Sequence, residues 1–150
     1  MSGHDSAEAN AEVVRKIEAA WEANDLDSLD GLIAEDFVAH TPGADQLPPG
    51  LAGAKLAHQQ SVAAMVGRHA TVEDLIAEGD RVFVRIRLQA TNSGTGFPWF
   101  GAEANGNPID FEWMTEYRLA DGKVVETWAQ LEAAKFMQQL GVMPAPGGEG

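Results

Sequence analysis

Alternation dominates the C-terminal half of this chain. In the stretch IDFEWMTEYRLADGKVVETWAQL, residues 109–131, Phe111, Trp113, Thr115, Tyr117 and Leu119 take every second position. Asp110, Glu112, Glu116 and Arg118 fall between them, with Met114 the apolar exception. This is the period of a strand with one buried and one wet face, so Phe111, Trp113, Thr115 and Tyr117 are expected to point inward and Glu112, Met114 and Glu116 outward. Asp121-Gly122 follows, a pair that suits a tight turn with positive φ at both central residues, and predicts a hairpin. On the return strand, Val124 to Leu131, the alternation groups Val125, Thr127, Ala129 and Leu131 against Val124, Glu126, Trp128 and Gln130.

The same reading extends to the rest of the chain. Val13, Ile17, Ala20 and Trp21 recur at helical spacing and predict a helix over Glu8 to Asn24. Leu26, Leu29 and Ile33 predict a second, short helix, and Phe37 to His40 a short strand ended by Pro42. The Pro- and Gly-rich stretch from Thr41 to Gly50 reads as loop. A third helix is expected over Ala52 to Val66 with Leu56, Val62, Met65 and Val66 inward, then strands over Val72 to Ala77 and Arg81 to Thr91 joined at Glu78-Gly79-Asp80. Asn92 to Asn107 breaks the pattern: it is rich in Gly and Asn yet carries Phe97, Trp99 and Phe100. A loop of that length invites a functional reading, here a mobile lid over a hydrophobic ligand or, alternatively, a subunit contact. Glu132 to Leu140 predicts a last helical turn or two stopped at Gly141. The result is an α+β fold: one cone-shaped domain over residues 1–150, with frayed tails at about 1–7 and 144–150. Three helices pack on a strongly curved antiparallel sheet, and the open end of the cone forms a pocket.

Composition narrows the function. The 150 residues carry a formal net charge of −13, so nucleic acid and anionic membrane surfaces are poor partners. There is no cysteine, hence no disulfide and no thiolate chemistry. No segment has the length of a membrane span, and MSGHDSAEAN lacks the pattern of a secretory leader, so a cytoplasmic protein is expected. His4, His40, His58 and His69 are scattered without ligand spacing, and no metal is expected. Neither a phosphate-binding loop nor a nucleophile elbow is present, and Gly94, Gly96 and Gly101 miss the dinucleotide pattern because Trp99 stands where its third glycine would be.

Candidate chemistry is sparse. His40, ahead of Thr41-Pro42, is a candidate pocket base, against the alternative of a locally hydrogen-bonded histidine; Tyr117 is the other catalytic candidate. Arg85 and Arg87 on the polar sheet face read as solvated or interfacial. Met114, Trp128 and Phe83 interrupt that face with apolar surface, which predicts a homodimer.

DFVAHTP, AEGDRVFVRIRLQAT and YRLADGKVVETWAQLEAAKFMQQLG resemble the SnoaL-like polyketide cyclases, within the wider nuclear-transport-factor-2-like group of α+β cones. The resemblance spans roughly Val13 to Gly141. It implies a small, cofactor-free, often oligomeric protein that acts on a hydrophobic polyketide. Members of the aldol type carry an acidic residue after the tryptophan of the last strand and a histidine on the preceding strand. Through the Asp121-Gly122-Lys123 turn those roles fall on Ala129 and Thr115, and a further common histidine falls on Thr127. None of these can exchange a proton at neutral pH. The expected substrate site is Trp21, His40, Met65, Trp99, Phe100, Phe111, Trp113, Thr115, Tyr117, Thr127 and Ala129, although Trp21, Phe111, Trp113 and Tyr117 read most simply as core. Such a pocket suits ring closure that moves no proton in its difficult step, for which [4+2] cycloaddition is the best expectation; the family includes an indane-forming cyclase of that kind. Acid/base aldol cyclisation, isomerisation or epoxide hydrolysis is the alternative, and a non-catalytic carrier of hydrophobic metabolites the second.

Overall fold

A computed structural model describes residues 6–144. The expected tails, His4 included, lie mostly outside this range. The chain runs α1 (Ala7–Glu22), β1 (Ile33–His40), α2 (Gly50–Ala64), β2 (Val66–Glu78), β3 (Arg81–Thr91), β4 (Pro108–Ala120), β5 (Lys123–Leu131) and α3 (Ala133–Gln139). The strands form one sheet in the order β1-β5-β4-β3-β2, so β4 is central, as its alternation suggested. The fold is the expected α+β cone, but the sheet is mixed: β1 pairs with β5 in parallel. The expected second helix is a single 3-10 turn, Leu26–Leu29, and Ile33 opens β1 instead. Asn24, with φ 55°, supplies the left-handed turn that ends α1.

Ser6 accepts a hydrogen bond from the Ala9 amide at 3.0 Å, capping α1, and such caps contribute about 1 kcal/mol. Val14, Ile17 and Ala20 of α1 are buried against the inner sheet face with Val82, Val84, Ile86, Tyr117 and Leu119. Glu22 fastens the end of α1 to β2, taking the Ala70 amide at 2.9 Å and a side-chain bond with His69. α2 packs against β1 and touches β2, the two edges of the sheet, and so closes the cone. Its buried positions are Leu51, Gly53, His58 and Ala64; Leu56 and Val66, expected inward, are exposed. Gly53 helps to set this rotation, because a Cβ there would lie 1.8 Å from the Pro48 carbonyl oxygen, so only glycine allows the approach.

β4 has the expected register: Phe111, Thr115, Tyr117 and Leu119 are buried, Trp113 is half-buried, and Met114 is exposed on the other face. The turn has Asp121 at φ 51° and Gly122 at φ 78°, the I′ form. The return strand departs from strict alternation. Arg118 pairs with Glu126 and Leu119 with Val124, so Val125 is an extra residue and Val124 turns into the core. A bulge of this kind restores the inward side to a residue that simple counting places outside.

The 92–107 loop, expected as a lid, is hydrogen-bonded at its base and packs apolar side chains into the domain. Asn92, fully buried, ties its base: its amide donates to Asn107 O, its carbonyl accepts from the amides of Asn105 and Gly106, and its side chain donates to Asn105 Oδ1 at 3.0 Å. Phe97 is 2% exposed and meets Phe136 of α3 edge-on at 5.4 Å, inside a second apolar cluster with Met65, Leu88, Ile109 and Phe111.

Candidate functional site

Four segments distant in sequence each bring a polar group to the inner sheet face. On α1, Glu18 lies one turn from Val14 and Trp21, and therefore on the buried stripe of the helix. On β4, Tyr117 projects inward and its hydroxyl donates to Glu18 Oε2 at 2.9 Å. On α2, His58 is 8% exposed and lies against Trp21 with ring centroids 4.8 Å apart. On β2, the guanidinium carbon of Arg68 sits 6.0 Å from the centre of the Trp113 ring. Trp21 and Trp113 thus form the apolar sides of a cluster whose polar members are Glu18, Tyr117, His58 and Arg68.

The low polarity of this interior decides the charge states. Burial raises the Glu18 carboxyl to about 7, although the Tyr117 hydrogen bond and the Arg68 charge both oppose the rise. Burial, then the neighbouring charge of Arg68, lowers the His58 imidazole to about 4, with Glu22 opposing. Tyr117 is held well above its ordinary value by burial and by Glu18, so its hydroxyl keeps its proton. At neutral pH the cluster therefore holds a carboxyl close to half-ionised, a neutral imidazole and a phenol.

Of the residues expected to form the site, Trp21, Trp113 and Tyr117 join this cluster, and Thr115 and Thr127 lie on the same inner face, 9% and 7% exposed, with Ala129 paired to Thr115. Phe111 and Met65 are instead buried in the second apolar cluster, where Phe136 approaches Phe111 to 4.5 Å. Phe100 stands on the short 3-10 turn Pro98–Phe100 of the loop, 6.2 Å from both Phe97 and Phe136. The side chain of Trp99 lies outside the described residues. His40 is displaced altogether. The parallel register sets Ala39 beside Thr127 and His40 beside Trp128, which turns His40 to the outer face. There its Nε2 pairs with Glu126 Oε2 at 2.7 Å and its ring stacks on Trp128 at 5.3 Å.

The outer face carries its own charges. Arg85 bonds Glu112 at 2.7 Å and Asp74 at 2.9 Å, Arg87 holds Asp110 through two bonds, and Arg81 pairs with Glu116. An open groove of about 430 Å³ runs over this ladder between Glu73, Arg87, Glu132 and Lys135. Among the described residues no group of three or more His, Asp or Glu is arranged to hold a metal ion, and no helix is long and apolar enough to cross a membrane.

The fold and the sequence together define the class. The family model of SnoaL-like polyketide cyclases matches residues 11–140, and the chain belongs to that family. Solved structures agree. IdmH from Streptomyces antibioticus, a proposed polyketide cyclase, is 30% identical with a TM-score of 0.74, over 89% of this chain and 99% of that one. AclR from Streptomyces galilaeus, a proposed hydroxylase, is 26% identical with a TM-score of 0.76, over 93% and 85%. TsrD from Streptomyces laurentii, at 18% identity and a TM-score of 0.79 over 91% and 97%, shares the fold. No curated protein matches the chain.

Proposed function

We propose that this chain closes a ring in a hydrophobic polyketide without a cofactor, and that the reaction takes place at the inner-face cluster with the Glu18–Tyr117 pair at a substrate carbonyl. The observation that carries the reading is the Glu18 carboxyl, raised to about 7 and hydrogen-bonded to Tyr117 on the inner face. Trp21, Trp113, Thr115, Thr127 and Ala129 line the substrate.

The cluster supplies the acid/base group missing at Thr115, Thr127 and Ala129, and this favours aldol-type closure. Glu18 as carboxylate takes the proton from a carbon beside a carbonyl. The enolate carbon attacks a second carbonyl carbon of the same chain, forming the ring bond, and the proton returns to the new alkoxide. Once Glu18 has taken up the proton it no longer holds the Tyr117 hydroxyl, which becomes free to donate to the developing oxyanion. The [4+2] cycloaddition is the second reading, favoured by the aromatic walls that can hold a folded polyene. In it, protonated Glu18 only donates a hydrogen bond to a conjugated carbonyl.

Glu18→Gln separates the two, since Gln donates but cannot act as a base. Aldol closure predicts a fall in kcat/KM of about 10²- to 10⁴-fold. It also predicts a wild-type rate that rises with pH to a plateau above about 7. Cycloaddition predicts a Gln variant within about tenfold of wild type and a wild-type rate that falls rather than rises above about pH 7, as Glu18 loses its donor proton. Full activity in both Glu18→Gln and Tyr117→Phe would overturn the proposal. The outer face, with Met114 42% exposed beside Phe83 and Trp128, is proposed as a homodimer contact. Light scattering should then give twice the 16.0 kDa chain mass, reduced to the chain mass by Met114→Glu.

A further inference from the structure

Arg15, Arg81, Arg85, Arg87 and Arg118 each have a carboxylate within ion-pair reach. Arg68 has none among the described residues, although it is the arginine drawn into the interior, and its Nε is buried with no hydrogen-bond partner. Beside it in the cluster, His58 Nε2 is also buried and without a partner. Two buried nitrogen atoms in one cluster therefore lack acceptors or donors, where buried polar groups are nearly always satisfied. A half-buried cation without a counter-charge is costly, and burial pulls the Arg68 guanidinium below its ordinary value while the charges of Glu22 and Glu18 only partly compensate. Glu22 is itself engaged by His69 and the Ala70 amide, and Glu18 by Tyr117. Neither is placed to neutralise Arg68 directly.

We infer that the substrate carries an anionic oxygen, a carboxylate or an ionised 1,3-dicarbonyl, and that Arg68 binds it, with His58 Nε2 as the second polar contact. The guanidinium fork matches two oxygens in a plane, and Trp113 covers its face. This rests on the reading of the same interior as the reaction site. It adds that the polyketide arrives with a free acid or acidic enol rather than as a neutral ester. The anion anchors one end while Glu18 and Tyr117 meet the reacting carbonyl.

The test uses simple probes on the whole protein. Dodecanoate, methyl dodecanoate and a long-chain 2-acylcyclohexane-1,3-dione are titrated at pH 7.5 by calorimetry, with tryptophan fluorescence as a second signal. The inference predicts that at least one acidic probe binds about tenfold or more tighter than the ester. Which acidic probe binds tells the two anion types apart. Arg68→Gln should remove the preference and Arg85→Gln, on the outer face, should keep it. Without ligand, Arg68→Met should melt at or above the wild-type temperature, because it removes a half-buried charge that has no ion-pair partner among the described residues; a purely structural arginine would show a clear fall. Equal binding of acids and ester to wild type would overturn the anion inference and leave the interior reading intact. Binding of none of the probes would overturn both. An acid preference that survives Arg68→Gln would place the anion elsewhere and also overturn the inference.

Discussion

Tyr117 and Glu116 are neighbours on β4, and each reaches a charged partner, but on opposite faces the outcome is reversed. Outside, Glu116 meets Arg81, Asp110 meets Arg87 and Glu126 meets Arg118 and His40. These partners hold the carboxyls of Asp110 and Glu126 below their ordinary values and raise the guanidinium of Arg87 further, so these three groups keep their charges. Inside, Tyr117 meets Glu18, whose carboxyl is raised to about 7, and His58 nearby is lowered to about 4. The residue types are similar; the access of water differs. Where water remains, a partner fixes the charge, and where it is removed, desolvation outweighs the partner and the group drifts toward neutrality. The outer ladder is therefore suited to solubility and surface contact, and the inner cluster to moving protons near neutral pH.

The comparison can be broken most directly through stability against pH. Glu18 has a raised folded-state value, so its contribution is full below the unfolded 4.5 and is lost as pH rises to about 7. His58 has a depressed value, so its contribution is full above the unfolded 6.5 and is lost as pH falls to about 4. Between about 4.5 and 6.5 the folded state holds an extra proton on Glu18 and the unfolded state an extra proton on His58, and the two slopes cancel. His58→Gln should uncover the Glu18 slope: relative to wild type, stability falls with rising pH across this window, at up to about 1.4 kcal/mol per unit. Glu18→Gln should tilt the other way. Urea melts at several pH values measure both, and parallel curves for the three proteins would show that neither group is desolvated.

Tyr117→Phe should have a smaller effect, about 1–3 kcal/mol, from leaving the Glu18 carboxyl without its donor. The loss should be greater at pH 8, where Glu18 is ionised, than at pH 5, where it is not. An equal loss at both would mean that the hydrogen bond does not depend on the charge of Glu18.

Smaller still is the expected effect of cutting the ladder. Arg87→Ala removes two bonds to Asp110, yet both groups are wet. The melting temperature should stay close to wild type, and any difference should vanish in about 1 M salt, where the screening length is about 3 Å. A salt-resistant loss would show that this face is covered, as in the proposed dimer.

The sequence was most legible where one local rule acts alone. Period-two spacing placed the inward residues of β4, Asp121-Gly122 placed the I′ turn, and β3 falls on Arg81–Thr91 as expected. It was least legible where distant segments decide. Val124 turned inward through a bulge that alternation cannot foresee. The parallel β1–β5 register, which moves His40 outside, depends on two strands far apart in the chain. In the 92–107 loop, the buried Asn92 binds the backbone that glycine content alone suggested was free. The proposed site was not foreseen because Glu18, His58 and Arg68 look like surface residues singly. A usable signal existed in two of them: Glu18 falls on the stripe Val14, Ile17, Trp21, and His58 lies two turns after Leu51. A titratable residue on the buried stripe of a helix points to a desolvated group, and a histidine at the end of an edge strand to a solvated one.

The smallest effect is expected at that edge-strand histidine. In His40→Ala, Glu126 loses one partner but keeps Arg118, whose Nε and Nη2 lie 3.1 and 3.0 Å from its Oε1. Trp128 loses the stacked imidazole but keeps the Arg81 guanidinium, 5.0 Å from its ring centre. Each contact of His40 is thus backed by another, and its side chain is 47% exposed, so water readily fills its place. Ring closure by His40→Ala should match wild type in rate and in pH profile, while His58→Gln, which alters the polarity of the interior cluster that holds Glu18, should shift the profile. Steady-state conversion of a linear polyketide acid by the two variants, side by side, makes the comparison. A profile that collapses in His40→Ala and holds in His58→Gln would move the reaction to the outer face and reverse the roles of the two polar regions.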